Sequence, residues 1–223
     1  MRKQVVVLAN SVKHDPGRCI AGREIAIEDD DFAIGPWVRP VSRIGEGELH
    51  PRHFTFEDGS VPQIFDVIEL FVETPDTDPI QPENWLVSEG RAWKRVHQWD
   101  TDMVIGSLIE NPPALWLQPE VKTDRVTKEF LAANPPQQSL YLLQLQNATI
   151  RASGKKFRLR FTYRGVSYDL AITDPLIANI TGGEPVSVLR KGLACVSLAP
   201  SFRNQFDGKE YHYKLAAMVI SYD

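Results

Sequence analysis

The chain has 223 residues, 25 Lys and Arg against 29 Asp and Glu, and a formal net charge of -4. Hydrophobic residues at 43% and charged residues at 24% are ordinary for a folded globular protein and exclude a disordered chain. No apolar run approaches the roughly 18 residues of a spanning helix, so no membrane partner is expected. Two cysteines, Cys19 and Cys195, are too few for a disulfide scaffold and point to reduced thiols and a cytoplasmic location.

The charge is unevenly spread. Residues 1–150 hold 14 basic and 23 acidic side chains, whereas residues 151–223 hold 11 and 6. The carboxy-terminal part is therefore the part suited to an anionic partner.

Taken in chain order, the elements are mainly β. Gln4 to Ala9 is a continuous apolar run and reads as a strand buried on both faces. Cys19 to Ile27, Trp37 to Val41 and Ile64 to Val72 follow, separated by turn signals such as Gly35-Pro36. These four segments predict a first small β unit over residues 1–75. Residues 76–136 are acidic and rich in Pro and Trp, and they read as a connector with short helices. Its candidate helices are Glu83 to Trp99, interrupted by Gly90, and Thr123 to Ala133, with Thr123 as N-cap. From residue 137 the chain is β again. Lys156 to Phe161 alternates strictly, placing Phe157, Leu159 and Phe161 inward and Lys156, Arg158 and Arg160 outward. With Leu140 to Leu145, Val166 to Ile172, Leu193 to Leu198 and Tyr211 to Ser221, this predicts a second barrel of the OB type over residues 137–223.

Two features could carry binding. Lys156, Arg158 and Arg160, extended by Arg151, Lys155 and Arg164, form a basic stripe of the kind that takes phosphate backbones, and Tyr163 and Tyr168 could stack on bases. The same row also reads as a solvated face whose long cations discourage edge pairing. The loop after the first strand, with Lys13, His14 and Arg18, could join Trp37 and Arg39 in a second site. It also reads as a simple turn, with Trp37 in the core and Arg39 paired to an acid.

Catalytic signatures are absent from the sequence. His14 and Cys19 lack an orienting third group, and no phosphate-cradling glycine motif occurs. His50 and His53 do not have zinc spacing, so neither metal nor cofactor is expected. Asp169 and Asp174 could hold a cation, though Asp174 before Pro175 also reads as a strand-ending turn residue.

Several short motifs recur together in a known pattern. They are Leu8-Ala9-Asn10-Ser11, Gly17-Arg18-Cys19-Ile20-Ala21-Gly22 and Trp37-Val38-Arg39-Pro40-Val41 at one end. At the other are Tyr168 to Pro175, Cys195-Val196-Ser197-Leu198 and Tyr213-Lys214-Leu215-Ala216-Ala217. This pattern resembles bacterial proteins with a dual OB-containing domain. The resemblance implies two OB-like barrels and transfers no catalytic residue. The resulting expectation is a non-enzymatic nucleic-acid-binding module, with single strands favoured. Its contacts would be Lys13, Arg18, Arg39, Lys155, Lys156, Arg158, Arg160, Tyr163 and Arg164. The alternative is a protein-interaction or small-ligand sensor subunit of a larger bacterial assembly, docking through the Trp- and Pro-rich middle.

Overall fold

The computed structural model describes residues 1–12, 16–28, 31–154, 156–178 and 187–222. Lys13, His14 and Lys155 lie outside them, as does the acidic pair Asp29-Asp30. The chain forms two compact units, one of residues 1–78 and 82–109, the other of residues 79–81 and 110–223. The fold is mainly β, with two closed five-stranded barrels.

In the first unit β1 (Arg2–Val12), β2 (Arg18–Glu28) and β3 (Asp31–Val41) run as an antiparallel meander. β4 (Asp66–Pro75) pairs with β1, and β5 (Asn84–Val87) closes the barrel by lying antiparallel to β4 and parallel to β3. β6 (Lys94–Gln98) adds to the outer side of β4. Short helices α1 (Pro51–Phe54) and α2 (Thr101–Leu108) accompany it. The apolar run read as a strand fills the core: Val5, Val6, Val7 and Leu8 are at most 1% exposed. β1 and β2 pass unusually near each other. A Cβ on Gly22 would lie 1.9 Å from the Val6 carbonyl oxygen, so only glycine fits.

The second unit repeats this order. β8 (Leu140–Ser153), β9 (Lys156–Tyr163) and β10 (Val166–Ile172) form the meander, and β11 (Ser187–Arg203) returns beside β8. β12 (Glu210–Ser221) lies antiparallel to β11 and parallel to β10. β7 (Arg125–Thr127) adds to β12, α3 (Lys128–Ala133) follows it, and α4 (Pro175–Ala178) follows β10. The core holds Phe157, Leu159 and Phe161 from β9 together with Leu143, Leu170 and Val196.

The structure differs from the sequence reading mainly in residues 76–136. They are shared between the two units instead of standing apart as a connector. The expected helix over Glu83 to Trp99 is the two strands β5 and β6. Gly90, at φ +71°, lies between them, and the demand of barrel closure overrides a weak helical spacing. The expected helix at Thr123 is strand β7 followed by α3. Its N-cap is Thr127, whose hydroxyl accepts from the Phe130 N–H at 3.2 Å.

Candidate nucleic-acid interface

The strict alternation of β9 is realised: its three apolar residues are buried, Lys156 and Arg160 are exposed, and Arg158 is half-buried. Register sets Arg158 beside Arg151 of β8, and Arg160 beside Asp169 of β10. The outer face of the second barrel therefore gathers Arg151, Lys156, Arg158 and Arg160. An open cleft of about 560 Å³ lies on this face, and Lys122, Asp124 and Arg125 line it together with Arg151, Arg158 and Asp169.

Two carboxylates organise these cations. Asp169 Oδ1 accepts from Arg158 Nε at 2.6 Å, and its Oδ2 accepts from Arg151. Arg158 also donates to the Asp169 backbone carbonyl and reaches Asp124 Oδ2 at 3.4 Å. Asp124 in turn receives Arg125 through Nε at 2.8 Å and Nη2 at 3.2 Å. Burial acts to raise the Asp169 carboxyl, but hydrogen bonds from Arg151 and Arg158 outweigh it and hold the carboxyl below its usual range. The hydrogen bond to Asp124 raises the Arg125 guanidinium, which stays charged. Lys122, Lys156 and Arg160 make no ion pair among the described residues. These three can approach an anion without first giving up a carboxylate.

Beneath the cleft lies Lys214, 1% exposed, with Nζ donating to the Thr123 carbonyl at 2.9 Å. Burial pulls its ammonium down to about 8, against the opposing attraction of Asp124, and the amine sits 5.5 Å from the centre of the Tyr168 ring. Lys214 supports the floor of the cleft and does not reach its opening.

The other expected contacts fall in different places. Arg39 is 6% exposed and bound to Glu83 at 3.0 Å, next to a buried Trp37. The buried reading of this pair is the one the structure follows, and it takes Arg39 off the surface. Arg18, half-buried at the start of β2, belongs to the first unit and exchanges backbone hydrogen bonds with Leu49 at 2.8 Å. Tyr163 spends its hydroxyl on the Pro112 carbonyl at 2.8 Å, and Arg164, exposed at φ +47°, donates to the Asn111 carbonyl at 3.2 Å. Tyr168 is 1% exposed and stacks on Phe161 in the core, so it cannot receive a base. Asp174 accepts from the Val219 and Leu176 N–H groups at 3.0 and 2.9 Å, a buried carboxylate pinning backbone. His53 is held by Glu89 at 3.0 Å, and no metal-holding cluster occurs among the described residues.

Sequence reasoning missed Lys122 and Arg125, which sit in a stretch read as acidic connector. The signal that could have found Arg125 is the Tyr211-His212-Tyr213 alternation of β12. Its guanidinium lies 5.3 Å and 4.8 Å from those two tyrosine rings.

No curated protein matches the chain. Among solved structures, a murine DNA-binding protein bound to double-stranded DNA is 12% identical, with all of both chains covered, at a TM-score of 0.32. The p204 HINb domain is 10% identical at a TM-score of 0.34, covering 96% of this chain and 97% of that one. The tetrameric p202 HIN2 is 9% identical at 0.30, covering 97% and 87%. At such identity and TM-scores these likenesses carry no argument about ligands. The match to a sequence family is of another order, since it runs over residues 3–219 and takes in both barrels. The chain belongs to the dual OB-containing domain family.

Proposed function

We propose that this chain is a non-enzymatic module that binds nucleic acid, single strands in preference to duplex, through the outer face of its second barrel. The observation that carries the reading is the cation excess there. Lys122, Arg125, Arg151 and Arg158 line an open cleft with Asp124 and Asp169, and Lys156 and Arg160 are exposed on the same face of β9 as Arg158. Phosphates meet such a face favourably because each contact releases condensed counterions.

The alternative, docking of a protein through the tryptophans of the middle segment, has less support. Trp93 and Trp99 are 0% and 6% exposed, and Trp85 and Trp116 are half-buried against the cores.

The test is fluorescence anisotropy with labelled single-stranded DNA, single-stranded RNA and duplex, at low and at physiological salt. Binding should fall steeply with salt, and the slope should drop by about 0.7 per lost phosphate contact on a single strand. The double variant Lys156→Glu/Arg160→Glu changes two exposed side chains and should lower affinity at least about tenfold. Unchanged affinity in that variant refutes the assignment.

A further inference from the structure

The hairpin between β11 and β12 carries two large apolar side chains outside any core: Phe206 is 99% exposed and Phe202 58%. The turn that presents them is tightly held. Asn204 Oδ1 accepts from the Phe206 N–H at 2.8 Å, and the Asn204 carbonyl accepts from the Gly208 N–H at 2.9 Å. Asn204 Nδ2 donates to the Tyr213 hydroxyl at 3.0 Å, and the Tyr211 hydroxyl donates to Asp207 at 2.9 Å. An ordered turn that holds a phenylalanine almost wholly in water gains no folding energy from that ring.

The rings form a row that starts at the basic cleft. Phe202 meets Tyr213 edge-on at 6.5 Å, Tyr213 meets Tyr211 at 6.2 Å, and Arg125 covers both tyrosines while lining the cleft. The charges of the hairpin itself cancel. Arg203 and Lys209 stand against Asp207 and Glu210. The tip therefore offers ring faces and no net formal charge of its own.

We propose that this hairpin is a base-stacking contact, in which Phe206 and Phe202 receive unpaired bases of a strand whose phosphates lie on the basic cleft. The proposal rests on the nucleic-acid reading above and adds its single-strand preference. Every base has a stackable face, so the contact tolerates sequence, whereas in a duplex those faces are already covered. Because Asn204 and Asp207 already hold the backbone of the turn, the ordering cost of the stack is confined to the side chain.

The experiment compares an oligothymidylate of about 15 nucleotides with an abasic oligomer of the same length, a probe set that separates base faces from phosphates. Wild type, Phe202→Ala/Phe206→Ala and Lys156→Glu/Arg160→Glu are titrated with both. The aromatic variant should lose about tenfold on oligothymidylate, keep its affinity for the abasic probe and keep its salt slope. The basic variant should lose on both probes, and Phe206→Trp should retain oligothymidylate binding. If the aromatic variant binds oligothymidylate like wild type, the hairpin proposal is overturned while the basic-face reading stands. If wild type binds neither probe at low salt, both fall together.

Discussion

Replacing Lys214 by Met should make the second barrel more stable at neutral pH and less stable at high pH. The unfolded chain keeps the lysine proton up to its ordinary value of 10.5, whereas the folded chain releases it at about 8 because the amine is buried. Between those values the unfolded state binds more protons, so stability rises with pH. The difference of 10.5 and about 8 corresponds to about 3 kcal/mol held against the folded state below pH 8. Against this, the variant forfeits the bond from Nζ to the Thr123 carbonyl, worth about 1 kcal/mol. Lys214→Met should thus gain about 2 kcal/mol at pH 7 and lose about 1 kcal/mol near pH 10.5. Urea titrations of both proteins across that range, followed by circular dichroism, measure the difference. A stability difference that stays constant from pH 7 to 10.5 would refute the reasoning.

Three further predictions follow from particular contacts. Asp169→Asn releases Arg151 and Arg158, so nucleic-acid affinity at low salt should rise several-fold while stability changes by no more than about 1 kcal/mol, since the Asp169 side chain is 36% exposed; weaker binding would count against the cleft as a phosphate seat. Arg39→Met takes the cation away from the buried Glu83 carboxylate and should cost about 3–5 kcal/mol in denaturant titrations, most of it recovered by adding Glu83→Leu. A variant as stable as wild type would show that the pair is not effectively desolvated. Gly22→Ala drives a methyl against the Val6 carbonyl and should destabilise the first barrel by about 3 kcal/mol. Slow hydrogen exchange persisting in β1 and β2 would contradict that.

What the sequence disclosed depended on how local the cause was. Lys156 to Phe161 could be read residue by residue because each face of that strand meets a different medium. β11, by contrast, was legible only over Leu193 to Leu198, because its polar ends from Ser187 and to Arg203 are strands by virtue of their pairing with β8 and β12. The segment Asn84–Val87 became a strand for the same reason: β3 and β4 leave a gap that only an extended chain can fill. The candidate interface shows the same division. Lys156 and Arg160 were visible from alternation, whereas the place of Arg125 depends on Tyr213, 88 residues away. Arg39 could be read from sequence either as a site cation or as one paired to an acid, because the acid that buries it comes from the far side of the barrel closure.

That closure has a consequence for folding. Each barrel is sealed by a short parallel seam, Arg39–Val41 against Asn84–Leu86 in one and Ala171–Ile172 against Leu215–Ala216 in the other. Contacts of such sequence separation cost loop-closure entropy before they are rewarded. A buried ion pair stands at the first seam, with Arg39 on Glu83, the residue before β5. A closure shifted by one residue turns Arg39 away from that acid, and separating a buried ion pair costs several kcal/mol. The first seam thus favours one register over its neighbours, and the pair exchanges some stability for a single way of shutting.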